Sequence, residues 1–115
     1  MKSYSVRLSP SQLEGCVTAP PSKSISHRAL ICAALAEGES IISNLAFSED
    51  VRATIDSLMS IGAKIKRIGE DTVKVTGIGG KPRSVCGLCC RESGSTLRFL
   101  IPICLLSPEK FELIG

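Results

Sequence analysis

Residues 21–38 read PSKSISHRALICAALAEG, and this stretch decides the fold. Ile25, Ala29, Leu30, Ala33, Ala34 and Leu35 recur at helical spacing, which predicts a helix over 24–37. Gly38 is expected to end it as the C′ glycine. Ala19-Pro20-Pro21 blocks regular structure just before it, because proline lacks a donor and fixes φ. Downstream, 40–45 (SIISNL) reads as a short strand. Ser48 is a good N-cap, with Glu49 and Asp50 in a first turn whose dipole favours acids. Val51, Ile55, Leu58 and Met59 form one face of that second helix, and Gly62 ends it.

Residues 63–68 and 72–76 read as two strands about the turn Gly69-Glu70-Asp71. Their apolar positions, Ile65 and Ile68 against Val73 and Val75, predict a half-buried hairpin. The run Lys64-Ile65-Lys66-Arg67 supplies its solvated face. A Gly/Pro loop over 77–82, a strand over 84–90 and a polar turn over 91–95 follow. A buried helix over 96–106 comes next, with a kink or early stop expected at Pro102. Residues 111–115 begin a strand pattern. Upstream, Tyr4, Val6 and Leu8 alternate with polar residues and read as a strand, and 12–18 reads as a second. The β-α-β-α-β-β order points to an α/β or α+β architecture. The last element is cut short, so the expectation is a piece of something longer.

Composition narrows the function classes. A chain of 115 residues suits one domain at most. With 43% hydrophobic residues it has enough apolar area to offset the ordering entropy, so disorder is excluded. Tyr4, Phe47, Phe99 and Phe111 are the only aromatics, too few stacking platforms for a single-strand nucleic-acid binder. A net charge of +3 is a weak footprint for DNA or RNA. The longest apolar run, 99–106, is far short of the ~20 residues of a membrane helix. No secretory signal is visible, and a soluble cytoplasmic protein is expected. Of the six cysteines, Cys32 and Cys104 lie inside apolar runs where reduced Cys behaves as a small hydrophobe. Free thiols are the expectation.

Two segments are candidates for chemistry. Pro21-Ser22-Lys23-Ser24-Ile25-Ser26-His27-Arg28 places a Lys, three Ser, a His and an Arg at a helix start. Such starts present unpaired N–H groups and partial positive charge to phosphate or carboxylate. Lys23 adds a point charge, and Ser24 and Arg28 share a side of the helix. Arg91-Glu92-Ser93-Gly94-Ser95-Thr96-Leu97-Arg98 again precedes a helix. There Gly94 allows close backbone approach, Ser95 and Thr96 cap or donate, and Arg98 offers a second fork. Each segment alone is also readable as an ordinary capped helix; two together make a shared anion site more plausible. The single His27, beside Arg28, reads as a structural group or ligand contact rather than a general base. Cys86-Gly87-Leu88-Cys89-Cys90 offers three thiols, with His27 a distant fourth, short of a clear structural zinc set.

The run 21–30 followed by Ala33-Ala34-Leu35-Ala36-Glu37-Gly38 closely resembles the N-terminal signature of the 5-enolpyruvylshikimate-3-phosphate synthase family. Asn44-Leu45, Ser48-Glu49-Asp50-Val51, Leu58 and Ile61-Gly62-Ala63 continue the match. Ser93-Gly94-Ser95-Thr96-Leu97-Arg98 resembles the family's second signature. The resemblance implies transfer of the enolpyruvyl group of phosphoenolpyruvate to the 5-hydroxyl of shikimate 3-phosphate with release of phosphate. It implies addition–elimination through a tetrahedral intermediate, in the pathway to aromatic amino acids. No metal or organic cofactor is implied.

Carried over, Lys23 is the catalytic candidate touching both substrates. Ser24 and Arg28 would hold shikimate 3-phosphate, Gly94 and Ser95 would admit phosphoenolpyruvate, and Arg98 is a further candidate. The implied fold is an inside-out α/β barrel of βαβαββ units, truncated here. Residues 1–18 would be strands of the opposite domain, and 19–115 the first part of the shikimate-phosphate-binding domain. Partners would be small anionic substrates, without nucleic acid or membrane, and the full-length protein a monomer. Members run to roughly four times this length, so the chain alone is expected to turn over nothing measurable.

Four positions depart from the family pattern: Pro21 for a usual Gly, His27 for a frequent Asn, Glu92 for an Asn, and Phe99 for a Pro. The sibling transferase acting on UDP-N-acetylglucosamine is the nearer alternative, although its opening motif resembles G-A-K-N-A. A zinc or redox module on Cys86, Cys89 and Cys90, or a non-catalytic anion-binding domain, is the more distant one.

Overall fold

Three serines start the three helices. In the computed structural model, which describes residues 3–83 and 87–115, helix α1 spans Lys23–Leu35, and Ser22 Oγ accepts from the Ile25 amide at 3.3 Å. Helix α2 spans Glu49–Ser60, with Ser48 Oγ accepting from the Val51 amide at 3.3 Å. Helix α3 spans Gly94–Cys104, with Ser93 Oγ accepting from the Thr96 amide at 3.2 Å. Each cap satisfies a donor that the helix cannot satisfy itself.

The helix ends differ. Helix α2 closes as expected: the Gly62 amide reaches the Met59 carbonyl and the Ala63 amide reaches that of Leu58. Gly62 takes φ +120° there, a Schellman arrangement that favours glycine. Helix α1 stops sooner than 24–37 implied. Its cap is Ala36 in extended conformation, so Gly38 is not its C′ residue. Gly38, at φ +83°, instead turns the chain into the next strand, and its carbonyl accepts from the Gly77 amide. Helix α3 runs past Pro102 to Cys104 without the early stop. Pro102 and Arg98 are both exposed, so water can take the bond that the missing N–H leaves unmade.

Strand β1 (Glu39–Ile42) and strand β2 (Lys64–Arg67) both pair antiparallel with strand β3 (Val73–Thr76), giving the order β1-β3-β2. Val75 lies between Ser40 and Ile65, and Val73 between Ile42 and Arg67. Val73 and Val75 are buried under the helices, while Lys64, Lys66 and Arg67 face solvent, as the hairpin reading required. Ile68 lies past the end of β2 and is half exposed, and Met59 stands off the buried face of α2. Strand β4 (Leu88–Cys89) pairs in parallel with strand β5 (Leu113–Ile114), and α3 makes the crossover between them. The expected strand start at 84–86, with Cys86, lies outside the described residues.

Helix α2 is the central element, touching α1 on one side and α3, β4 and β2 on the others. Leu30, Ala34, Val51, Leu58, Ile61, Val75, Leu88 and Leu100 form one continuous buried cluster around it.

The two strands expected before Pro20 are absent. Residues 3–20 carry no helix or strand and are all exposed. Tyr4, Val6, Leu8, Leu13 and Val17 keep more than four-fifths of their surface in water. Alternation marks an apolar face, but a strand also needs a ladder partner and a surface to cover, and nothing packs here. Among the described residues no strand precedes α1, and the first strand is β1, where 40–45 was expected. This open segment extends the molecule to a radius of gyration of 17.8 Å, against the ~13 Å of a compact chain this long.

Candidate functional site

Helices α1 and α2 lie side by side with their starts at the same end. Lys23 Nζ is 2.5 Å from Asp50 Oδ2, and one turn on, His27 Nδ1 is 2.7 Å from Thr54 Oγ1. Both contacts join residues 27 positions apart, as two parallel helices in register must. The start of α3 meets the same end: Thr96 Oγ1 is 2.8 Å from Thr54 Oγ1 and donates to Ser93 Oγ at 2.7 Å. Three helix N-termini thus converge around the first turn of α2.

Their electrostatics differ. Helix α2 carries Glu49 and Asp50 in its first turn, which answer its own dipole. Helices α1 and α3 have no acid in theirs. Their positive ends are left for an outside anion. These are the two segments singled out from sequence, and the structure brings both against the start of α2, where His27 and Thr96 meet the same Thr54 hydroxyl.

Lys23, Ser24 and Arg28 are exposed, as are Gly94, Ser95 and Arg98. The Lys23 ammonium holds the Asp50 carboxyl below its ordinary value of 3.8, with the His27 ring contributing in the same direction. Gly94 has open space around the position a Cβ would take, so a ligand can reach its backbone. The site is an open face rather than a cleft. A hollow of about 260 Å³ beside the α1 start includes Pro21 and Ser22 but not Lys23. Another of about 240 Å³ is lined by Glu49, Asp50, Arg91 and Glu92.

Arg91 has a structural task that its reading as part of a polar turn missed. At φ +52° it bridges Glu49 at 2.8 Å and Asp56 at 2.7 Å, tying the loop before α3 to α2. His27 is 1% exposed, and burial pushes its pKa below 6.5, Asp50 opposing and Lys23 reinforcing the change. It is a held, neutral ring. Thr54, fully buried, was not singled out from sequence, and Thr96, also fully buried, was read only as a cap or donor. The available signal was a hydroxyl on the apolar face of each helix. Among the described residues no group of His, Cys, Asp and Glu side chains could hold a metal. Cys89 is exposed and Cys90 buried, on opposite sides of an extended segment, and His27 is engaged by Thr54.

A sequence model of the family described as EPSP synthase (3-phosphoshikimate 1-carboxyvinyltransferase) matches residues 8–115. The chain is 49% identical over 111 residues to a 3-phosphoshikimate 1-carboxyvinyltransferase of Clostridium perfringens, covering 96% of this chain and 26% of that protein. It is 45% identical over 111 residues to the enzyme of that name from Clostridioides difficile, covering 88% and 25%. The chain spans about a quarter of the length of the curated relatives it matches. In structure it is similar to an EPSP synthase from Acinetobacter baumannii, with a TM-score of 0.71 and 28% identity over 77% of this chain and 21% of that one.

Proposed function

The chain belongs to the EPSP synthase family, and from that premise we propose that it supplies one wall of a site for shikimate 3-phosphate and phosphoenolpyruvate. The observation that carries this reading is the convergence of α1 and α3, two helix starts without acids, on the start of α2. Both substrates are anions, and each meets a helix dipole, free backbone donors and a basic side chain. Lys23 reaches both. Ser24 and Arg28 hold shikimate 3-phosphate, Gly94 and Ser95 admit phosphoenolpyruvate, and Arg98 stands one turn further along α3.

The whole protein then carries out enolpyruvyl transfer. The 5-hydroxyl oxygen bonds to C2 of the enol while C3 gains a proton, giving a tetrahedral intermediate; the C2–O bond to phosphate then breaks and C3 gives up a proton as the double bond re-forms. The phosphate and carboxylate groups stay anionic from substrates to intermediate, so fixed positive groups hold and orient them throughout. The 115 residues alone bind without turnover. Residues 1–18, exposed over the described part 3–18, pair with a second domain; 19–115 form the first part of the shikimate-phosphate-binding domain. The cytoplasmic, monomeric working state and the small-molecule partners expected from sequence belong to the same reading. No described helix is long and apolar enough to cross a membrane.

The test is an NMR titration of the isotopically labelled chain with shikimate 3-phosphate, repeated on Lys23→Ala. Saturable amide shifts over residues 22–28, weakened about tenfold or more in the variant, are expected. A well-dispersed spectrum that does not respond to the ligand overturns the reading for this chain.

A further inference from the structure

The buried polar groups at the junction of the three helices form an unbroken series. His27 Nδ1 lies 2.7 Å from Thr54 Oγ1, Thr54 Oγ1 lies 2.8 Å from Thr96 Oγ1, and Thr96 Oγ1 donates to Ser93 Oγ at 2.7 Å. Ser93 is the N-cap of α3 and receives the Thr96 amide as well. His27, Thr54 and Thr96 are each at most 1% exposed, and Ser93 is 4% exposed. Four polar groups removed from water are costly unless every bond is made, so such a series is a specific arrangement.

The direction of the series follows from counting protons. The Thr96 hydroxyl has one, directed at Ser93 Oγ at 2.7 Å with the Asp50 carbonyl a longer acceptor at 3.5 Å, and either use leaves none for Thr54. Thr54 must then donate to Thr96 Oγ1, and its own oxygen accepts from His27. The ring is therefore the neutral Nδ1–H tautomer. His27 Nε2, buried and without a hydrogen-bond partner among the described residues, is left as a bare lone pair. That is the less costly orphan, since buried unpaired N–H groups are rarer than under-used acceptors. Only the δ position of the ring takes part.

We propose that His27 is a positioning residue whose Nδ1–H, acting through Thr54 and Thr96, fixes the cap of α3 against α1, so that the two anion-binding helix starts are presented at one spacing. The proposal rests on the reading of that face as the substrate site, and it adds a residue that touches neither substrate. Lys23 and His27 share α1, while Ser93 opens the Gly94-Ser95 turn. The relay is thus a buried path between the two halves of the face.

The proposal separates two substitutions that a space-filling role would not. Asparagine places an amide N–H at the same number of bonds from Cα as Nδ1, so His27→Asn keeps the donor. Glutamine is closer to histidine in volume, but its amide lies one bond further out, where only the idle Nε2 stands. His27→Gln therefore breaks the relay although it fills the site better. Thr54→Val removes the middle hydroxyl with little change of shape, and Thr54→Ser restores it.

The experiment uses the labelled 115-residue chain. Its single histidine makes the imidazole nitrogen spectrum unambiguous; the expected result is a protonated Nδ1 and a bare Nε2, and the reverse overturns the proposal. Amide hydrogen exchange is then followed at Thr96 and Leu97, with Val75 in the sheet as the control for folding. His27→Asn and Thr54→Ser should exchange within about twofold of the parent at Thr96 and Leu97. His27→Gln and Thr54→Val should exchange about tenfold faster there, with Val75 unchanged. Equal behaviour of His27→Asn and His27→Gln, or no effect of Thr54→Val, overturns the relay. A phosphoenolpyruvate titration of the same samples should weaken in parallel with exchange. If the parent chain binds no phosphoenolpyruvate, the substrate-site reading fails for this chain, while the ligand-free exchange still decides the relay.

Discussion

The ammonium of Lys23 rests 2.5 Å from Asp50 Oδ2, so the lysine at the α1 start is already engaged by a carboxylate from the neighbouring helix. An arriving phosphate has to compete with that carboxylate or share the lysine with it. Lys23 is exposed and Asp50 partly so, which lets solvent weaken the pair and eases the exchange.

Removing the competitor should therefore strengthen anion binding. Asp50→Asn is expected to tighten shikimate 3-phosphate by about threefold at low salt, while lowering the thermal midpoint by no more than a few degrees through the lost first-turn charge. The gain should shrink at 0.5 M salt, about where screening acts over a few ångströms. Titrations followed by amide shifts at the two salt concentrations check this, and weaker binding in the variant would refute the competition.

Acid should loosen the fold through His27 before it reaches Asp50. Burial lowers the His27 pKa below 6.5, so the unfolded chain binds more protons than the native one as the pH falls. The associated stability is fully present above 6.5 and is lost as the pH drops through the folded value. Asp50 of α2 and Lys23 of α1 are the charged groups acting on the ring, and α3 presents only the neutral Thr96 hydroxyl. The Asp50 contribution, held in place by Lys23, disappears only below 3.8. Urea midpoints should be flat from pH 8 to 6.5 and fall from there to pH 5. In His27→Asn that fall should be absent.

Gly77 is a position where space alone excludes a side chain. A Cβ there would stand 2.0 Å from the Ala36 carbonyl oxygen and 2.6 Å from that of Ala33. Both obstacles are backbone, so α1 or the strand end must shift. Gly77→Ala should cost about 1–3 kcal/mol in chemical denaturation. A variant as stable as the parent would mean that the end of α1 yields freely.

The thiols should divide by burial. Cys16, Cys32 and Cys89 are exposed, whereas Cys90 and Cys104 are buried and burial raises the pKa of both. In a timed iodoacetamide reaction mapped by peptide mass spectrometry, the first three should be modified at least about tenfold faster than the last two. Equal rates at Cys89 and Cys90 would contradict the orientation of β4.

Helix starts and the hairpin were legible because their causes are local. Ser48 with Glu49 and Asp50 announces α2 within four residues, and Val73 and Val75 announce the buried side of β3. The failures have non-local causes. Tyr4, Val6 and Leu8 have the alternation of a strand but no ladder within reach. Gly38 was expected at the end of α1, but the pairing of Gly77 with the Gly38 carbonyl uses it as a turn instead. The basic and hydroxyl residues of the candidate face were readable from two motifs. The contact between Thr54 and Thr96 spans 42 positions, and no periodicity encodes it.

Because the Lys23–Asp50 and His27–Thr54 contacts share one offset, α1 has a single axial setting on α2. Sliding by one turn, about 5.4 Å, would bring Lys23 opposite Thr54 and His27 opposite Leu58. That leaves a buried imidazole facing a hydrocarbon wall. The two contacts work as the teeth of a key: intermediate offsets engage neither, and the next notch engages wrongly. Any closing motion at this face must then carry α1 and α2 together as one rigid jaw, with no sliding between them.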